Sequence, residues 1–221
     1  DIEAGTITIV TQNIGYSTAK LMELQVGDEI MDVIGPLGQP THIEKHDGIV
    51  LCVGGGVGIA PLHPIAQAHH NNGNRVISIL GARDKSLIIM EDMMKKISEE
   101  TLICTDNGSY GEKGLVTDMI KRVYDKGEKI SEVIAIGPAI MMKFVAKLTK
   151  EYNLPTTVSL NPIMIDGTGM CGCCRVLVGT ETKFACVEGP EFDGHLVDFD
   201  LLMKRQAMYK REEHECNLKL S

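Results

Sequence analysis

The stretch 49–62, IVLCVGGGVGIAPL, decides the fold. Residues 49–53 are a short continuous apolar run, which is typical of a strand buried on both faces of a sheet. A glycine-rich turn follows, and the next residues predict a helix at 59–71. This order is the one in which a parallel sheet binds a nucleotide, because a bare backbone can point N–H groups at a pyrophosphate. The turn glycines are Gly54, Gly55, Gly56 and Gly58. Their spacing does not match G-x-G-x-x-G, so a tightly packed turn remains the alternative.

Strands and helices continue to alternate downstream of this turn. Further strands are predicted at 76–80, 102–105, 133–136 and 156–160, and further helices at 87–97, 116–124 and 140–152. Alternation at this spacing indicates a parallel sheet with helices on both faces. The fold class is therefore α/β, with a five-stranded parallel sheet. Cys52 and Cys104 are predicted to be small buried core residues, and the pair His69-His70 to be solvent-exposed rather than metal-binding.

Glycine and polar residues follow several of these strands. The carboxyl ends of parallel strands lie at one edge of a sheet, where ligands collect in such folds. The residues expected at that edge, besides the glycine turn, are Gly81, Ala82, Arg83, Asp106, Gly137 and Pro138. Arg83 follows the second strand, where a cation could meet a nucleotide 2′-phosphate.

The residues before this sheet form a different pattern. Residues 6–12 and 28–34 are predicted as strands, and 15–18 lead into a short helix. Ser17 or Thr18 is expected to cap that helix, and its start would either hold an anionic group or form only a capped turn. Two strands cannot form an independent domain. We therefore expect an incomplete antiparallel β-barrel, most of which would precede Asp1.

A cysteine-rich stretch, DGTGMCGCC at 166–174, carries the second chemical signal. Plant-type [2Fe–2S] proteins use C-x4-C-x2-C and a distant fourth cysteine. This sequence has that spacing with an aspartate in the first position. The predicted ligands are Asp166, Cys171, Cys174 and Cys186, whereas Cys173 falls between two ligands and is predicted not to bind. A structural zinc knuckle and a set of free buried thiols are the alternatives.

Composition limits the class of partner and the compartment. The chain has 221 residues, a formal net charge of −8 and a pI of about 5.4. This charge argues against nucleic acid or an anionic membrane as a partner. No apolar run is long enough to predict a membrane span. The seven cysteines, an odd number crowded at 171–174, do not resemble a disulfide framework, so a reducing cytoplasm is expected.

The chain resembles the ferredoxin–NADP reductase-like superfamily. The resemblance rests on GPLGQP at 35–40, VGGGVGIAPL at 53–62, TDNGSYGEKG at 105–114, GPAIMMK at 137–143 and NPIMIDGTGMCGCCRV at 161–176. GAR at 81–83 and FACVEGPEFDGH at 184–195 complete the set, which covers nearly the whole chain. It is similar to the [2Fe–2S] subunits of sulfide dehydrogenase, of NADH-dependent ferredoxin:NADP oxidoreductase and of dihydroorotate dehydrogenase. Asp166 favours the first two branches, because the third has cysteine there.

The resemblance implies three domains and a set of cofactor contacts. Residues 1–45 would be the last part of an FAD-binding barrel, 46–160 an NAD(P)-binding domain, and 161–221 a small [2Fe–2S] lobe with a C-terminal helix. Gly15, Ser17 and Thr18 would contact the flavin pyrophosphate. Ala60, Pro61 and Met141 would join the nucleotide site. The family's Arg-x-Tyr-Thr-like flavin motif is absent, so the FAD site is expected to be incomplete.

The implied function is electron transfer. Electrons would pass between NAD(H), with NADP(H) as the alternative, FAD and the cluster, and then to a larger oxidoreductase subunit. That partner would be glutamate-synthase-like or a dehydrogenase, and ferredoxin is a second candidate partner. No acid–base residue is required, because the cofactors carry the chemistry. Two alternatives remain: a dihydroorotate dehydrogenase electron-transfer subunit, and a nucleotide-binding module with a structural zinc.

Overall fold

The structure is a computed structural model that describes residues 3–218. The chain divides into two compact units. The larger unit is Pro36–Gln206, and the smaller combines residues 3–35 with 207–218. Within residues 3–218, the structure contains no helix with the length and apolarity needed to cross a bilayer.

Helices and strands alternate through the larger unit as predicted. The strands are β1 (Ile49–Gly55), β2 (Arg75–Ala82), β3 (Glu100–Thr105), β4 (Glu112–Lys113), β5 (Ile130–Ile136), β6 (Thr156–Ser159), β7 (Arg175–Val178), β8 (Glu181–Phe184) and β9 (Glu191–Asp193). The helices within residues 3–218 are α1 (Tyr16–Met22), α2 (Ile59–Asn71), α3 (Glu91–Ile97), α4 (Val116–Asp125), α5 (Ala139–Glu151), α6 (Ala185–Glu188), α7 (Phe199–Gln206) and α8 (Lys210–Asn217). Short 3₁₀ turns lie at Gly56–Gly58 and Lys85–Leu87.

The main sheet has the strand order β4-β3-β2-β1-β5-β6-β9. All neighbours pair in parallel except β6 and β9, which are antiparallel. The prediction of an α/β fold with five parallel strands is confirmed, and β4 and β9 extend that sheet. The chain builds outward from β1 through β2 to β3 and then returns to place β5 on the other side of β1. The crevice between β1 and β5 is therefore the topological switch point, where ligands bind in such sheets.

Helices cover both faces of the sheet. Every residue of β1 is buried, as expected for a central parallel strand. Alternate β1 residues contribute to two separate cores, because successive side chains point to opposite faces. Leu51 belongs to the core that includes residues of α4, α5 and α7, and Val50 to the core that includes residues of α2 and α3. Cys52 and Cys104 are buried as predicted, and burial raises the pKa of each thiol to about 12.

The N-terminal strands are not formed. Residues 6–12 and 28–34 belong to no sheet among the described residues, and their apolar side chains, such as Ile7 and Val33, are more than half exposed. A strand is stabilised by the backbone hydrogen bonds of a neighbour. Neither segment has a neighbouring strand within residues 3–218, so the alternating pattern alone does not produce a strand there.

Two helix predictions need correction. The helix predicted at 87–97 begins at Glu91, because Asp84 caps a 3₁₀ turn through Ser86 and Met90 adopts a left-handed φ of 55°. The density of charged side chains over 204–215 predicts one helical segment with a solvated face. The structure instead ends α7 at Gln206 and starts α8 at Lys210. The three-domain division stays a prediction, although the cluster segment shares a compact unit with the main sheet.

The prediction that His69 is solvated is wrong. Its side chain is fully buried at the end of α2, and its Nδ1 lies 3.2 Å from Nδ2 of Asn74. The ring of His46 is 5.9 Å away, centroid to centroid, and the carboxylate of Glu132 also acts on His69. Burial lowers the pKa of His69 below its ordinary 6.5, so the native state favours the neutral ring.

This burial predicts an acid-dependent loss of stability. Below about pH 6.5 the unfolded chain binds a proton at His69 more readily than the native chain does. The free energy of unfolding should therefore decrease as the pH is lowered, by at most about 1.4 kcal/mol per pH unit. His69→Gln should flatten the dependence of the melting temperature on pH between 7.5 and 5.5. The neighbouring His70, which is exposed, provides the control. Equal pH dependence in the wild-type protein and His69→Gln would contradict this prediction.

Candidate functional site

The glycine turn lies at the switch point of the sheet. β1 ends at Gly55, the 3₁₀ turn follows at Gly56–Gly58, and α2 begins at Ile59. The end of β5 lies directly beside it, because a Cβ built on Gly137 would lie 3.1 Å from the Cα of Gly55. The structure therefore brings two separately predicted segments, 54–58 and 137–138, to one crevice.

The glycines of the turn serve different purposes. A Cβ on Gly55 would lie 2.4 Å from Sδ of Met141, and one on Gly58 would lie 2.5 Å from the carbonyl oxygen of Ile136. A Cβ on Gly54 would lie 2.8 Å from Ile59. These three glycines are required for close packing. Gly56 is different: its φ is 54°, and a Cβ there would meet nothing within 4 Å. Gly56 is therefore the glycine whose backbone faces open space, as an approaching pyrophosphate would require.

The ends of β2 and β3 form the neighbouring part of the same edge. The N–H of Asp106 donates to the carbonyl of Ala82 at 3.0 Å, which joins the residues after the two strands. Gly81 is again a packing glycine, since its Cβ would lie 2.4 Å from Val116. Arg83 is exposed and forms no ion pair within residues 3–218. The remaining predicted contacts, Ala60, Pro61 and Pro138, lie in the first turn of α2 and at the start of α5.

Sequence reasoning missed Lys85, Ser109 and Tyr110, which lie near the end of β2. Lys85 places its ammonium 5.0 Å from the centroid of the Tyr110 ring, and its backbone N–H donates to Oγ of Ser109 at 2.9 Å. Tyr110 in turn donates to the carboxylate of Glu91. The motif at 105–114 was visible in the sequence, but only the fold shows that this loop contacts the end of β2.

The carboxylate of Asp166 organises the cysteine-rich loop. One oxygen accepts the N–H of Thr168 at 2.6 Å, and the other accepts the N–H of Cys171 at 2.7 Å. The hydrogen bond from Thr168 lowers the pKa of this carboxyl to about 2, so it is an anion at neutral pH. The first oxygen also accepts from Oγ1 of Thr168 at 3.2 Å, whereas the second, bonded to the N–H of Cys171, keeps a lone pair with which Asp166 can act as a ligand.

Glycines allow the loop to close. Gly167, Gly169 and Gly172 have φ values of 76°, 87° and 65°, in the left-handed region that glycine adopts without steric cost. Side chains are excluded as well as strained, because a Cβ on Gly169 would lie 2.7 Å from Val187. Glycine therefore gives the loop this conformation without backbone strain at all three positions.

The four predicted ligands lie in two pairs, Cys174 with Cys186 and Cys171 with Asp166. Sγ of Cys174 lies 3.2 Å from Sγ of Cys186, and both residues are buried. The N–H of Ala185, next to Cys186, donates to the carbonyl of Cys174 at 3.2 Å and fixes this approach. Burial raises the pKa of the Cys186 thiol. Cys171 is exposed and lies against Asp166, whereas Cys173 is partly buried and accompanies neither Cys174 nor Cys186.

The donor set fits an iron–sulfur cluster. Within the described residues, no three or more His, Cys, Asp or Glu side chains already surround one point, so the two pairs would have to close around the group. Three thiols are soft donors that iron prefers, and metal binding deprotonates a coordinating thiol. The ionised Asp166 adds a fourth anionic donor on the same glycine loop. The assignment of these four ligands stays a prediction.

The end of α7 connects the loop to the crevice, which sequence reasoning also missed. Nη2 of Arg205 donates to the carbonyl of Cys173 at 3.1 Å. Nε2 of Gln206 donates to the carbonyl of Asn161 at 2.8 Å, and Nδ2 of Asn161 reaches the carbonyl of Gly137 at 3.5 Å. Two adjacent residues of α7 therefore contact the two predicted sites, Arg205 directly at the cysteine loop and Gln206 through Asn161 at the crevice. The side chains of residues 205 and 206 do not belong to a solvated face.

The segment predicted to contact flavin forms a capped turn in the smaller unit. α1 begins at Tyr16 with Gly15 as its cap, so the prediction of Ser17 or Thr18 as the cap is wrong. Oγ1 of Thr18 accepts the N–H groups of Ile14 and Gly15 at 3.0 Å each, and it donates to the Gly15 carbonyl. These bonds explain Thr18 without a ligand, and a flavin role for Gly15, Ser17 and Thr18 stays a prediction.

Two family models match the two parts of the larger unit. Residues 52–147 match the oxidoreductase NAD-binding domain, and residues 161–198 match the iron–sulfur cluster binding domain of dihydroorotate dehydrogenase B. The first match spans the glycine turn and the crevice. The second includes all four predicted cluster ligands. The expected combination of an NAD site and an iron–sulfur site is thereby confirmed.

Similar proteins align with this chain over most of their length. A dihydroorotate dehydrogenase B (NAD(+)) electron transfer subunit homolog of Thermotoga maritima is 50% identical over 96% of this chain and 74% of its own. The electron transfer subunit of Geobacillus kaustophilus is 35% identical over 87% of this chain and 74% of its own. An uncharacterized protein of Clostridium beijerinckii is 50% identical over the whole of this chain and 77% of its own.

A solved structure agrees with the resemblance found in the sequence. A chain in the structure of an NADH-dependent reduced ferredoxin–NADP oxidoreductase superposes with a TM-score of 0.87. It is 48% identical and covers 95% of this chain and 75% of that chain. The protein belongs to the family of dihydroorotate dehydrogenase B electron-transfer subunits and their homologues, on the ferredoxin–NADP reductase-like fold.

Proposed function

We propose that this chain is a flavoprotein subunit that passes electrons between NADH, FAD and a [2Fe–2S] cluster and delivers them to a larger oxidoreductase subunit. One observation carries the proposal. The crevice at the glycine turn and the loop with the cysteines and Asp166 lie in one compact unit, and residues of α7 are hydrogen-bonded to the segments of both. The similar solved structure concerns flavin-based electron bifurcation by an NADH-dependent enzyme, which supports the same chemistry here.

Each part of the chain has one task in this function. Gly56 lets the pyrophosphate of the dinucleotide approach the backbone, while Gly54, Gly55 and Gly58 hold the turn in place. Asp166 and the three cysteines bind the cluster. When bound, flavin links the two, because nicotinamide exchanges two electrons at once whereas a cluster takes one. The protein contributes position, exclusion of water and electrostatics.

The nucleotide preference is the finer part of the proposal. Arg83 is exposed at the end of β2, where a 2′-phosphate would bind. The names of the similar proteins instead contain NAD(+) and NADH, and we propose NAD(H) for this chain. We further propose a glutamate-synthase-like or dehydrogenase subunit as the partner, with ferredoxin as an additional acceptor or donor.

An anaerobic visible spectrum of the purified protein, combined with metal analysis, tests the function. We expect iron and acid-labile sulfide in equal amounts, a flavin content below one per chain because the FAD site is incomplete, and, with FAD added, bleaching of the flavin and cluster absorbance by NADH but less by NADPH. Bleaching by dihydroorotate in the presence of a dehydrogenase subunit would favour the dihydroorotate role. Zinc without iron would overturn the proposal in favour of a nucleotide-binding module with a structural metal.

A further inference from the structure

Arg205 is held on a rigid support beside the cluster loop. It lies in the last turn of α7, three residues after Leu202, which is 1% exposed in the main core. Leu202 and Phe199 fix the helix against the sheet, so the position of the guanidinium does not depend on the loop itself. The loop is contacted from outside by a side chain 32 positions away in sequence.

The contact of Arg205 is placed between two predicted ligands. Its Nη2 donates to the carbonyl of Cys173, and Cys173 separates Cys171 from Cys174 in the chain. A charged donor to a backbone carbonyl is stronger than a neutral one. The hydrogen bond therefore restrains the peptide that determines the spacing of these two thiols.

The charge of Arg205 is not compensated. Within residues 3–218 Arg205 forms no ion pair within 4 Å, although Lys143, on the facing helix, pairs with Asp200 of α7. The Nε of Arg205 is buried and has no hydrogen-bond partner among the described residues. Buried donors are rarely left without partners, and such cases indicate an acceptor that the polypeptide does not supply.

We propose that Arg205 is a positioning residue for the cluster, which holds the ligand loop through the Cys173 carbonyl and raises the reduction potential of the bound cluster. Reduction adds one negative charge to a group already surrounded by three thiolates and a carboxylate. A nearby uncompensated cation favours that added charge, and hydrogen bonds and local charge are known to set cluster potentials. The inference rests on the proposed function, because it requires a redox cluster at this loop.

The test compares three variants of the full protein by redox titration, monitored by electron paramagnetic resonance, and by iron content. Arg205→Gln should make the cluster harder to reduce by about tenfold in equilibrium constant, which corresponds to about 59 mV for one electron. Lys204→Gln removes the same charge from the adjacent, exposed position and should leave the potential unchanged. Arg205→Lys keeps the charge but lacks the planar fork, so it should keep the potential and lose iron faster.

The outcomes separate this inference from the function on which it rests. Wild-type protein without iron and sulfide would overturn the proposed function. Full iron content in Arg205→Gln with the potential of Lys204→Gln would overturn only the role of Arg205. If Arg205→Gln contains no cluster, Arg205→Lys is the variant that tests the positioning role. Iron loss from Arg205→Lys at the wild-type rate would overturn that role.

Discussion

Cys174→Ser and Cys186→Ser are each expected to abolish the iron–sulfur cluster, whereas Cys173→Ser should retain it. The two thiols lie 3.2 Å apart and both are buried, so serine at either position would replace a soft thiolate donor by a harder oxygen. Cys173 takes part through its backbone in the network that shapes the loop, since its carbonyl accepts from Arg205. Iron and sulfide analysis of the purified variants measures the effect directly.

Asp166 has a role in either of two arrangements, and the same experiment distinguishes them. As a ligand, Asp166 should give low iron content in Asp166→Ala, while Asp166→Cys should keep a cluster with an altered charge-transfer spectrum, because oxygen is the harder donor. In the competing arrangement all four cysteines bind, and Asp166 only closes the loop through the N–H groups of Thr168 and Cys171. A cluster lost in Cys173→Ser and retained in Asp166→Ala would establish that arrangement and contradict ours.

Local patterns in the sequence were sufficient for the parts of the fold that are stabilised by their own neighbours. The run 49–53 is apolar at every position, and β1 is buried on both faces. β9 could not be foreseen, since it is a strand of only three residues, Glu191–Asp193, which pairs with the edge of β6. Residues 6–12 show the converse, because a good alternating pattern forms no strand without such an edge.

The same distinction applies to the candidate site, where residues of one loop could be predicted from the sequence but contacts from a distant helix could not. Spacing alone predicted the donors of the cluster loop, because ligands in a short loop are close in space wherever the loop lies. The contribution of α7 depends on tertiary packing: Arg205 reaches Cys173, and Gln206 reaches Asn161, across 32 and 45 positions. The buried His69 was missed for the same reason, since a histidine at a helix end gives no local sign of what covers it.

Gly56→Val is expected to weaken NADH binding by at least about tenfold, or about 1.4 kcal/mol, while the protein remains folded. Gly56 has open space where a Cβ would lie, with no protein atom within 4 Å of it, so valine would extend into the volume that the pyrophosphate would use. Its φ of 54° also adds backbone strain of about 1–3 kcal/mol.

Gly127→Val is the matched control for that strain. Gly127 has a φ of 77° with equally open surroundings, but it lies in the turn before β5, at the opposite edge of the sheet. Both variants should lower the melting temperature by similar amounts, and only Gly56→Val should raise the dissociation constant for NADH, measured by calorimetry on the purified protein. NADH affinity in a folded Gly56→Val protein equal to that of Gly127→Val would show that the dinucleotide does not approach this turn. The glycines of the turn would then be explained by packing alone, as the contacts of Gly54, Gly55 and Gly58 already are.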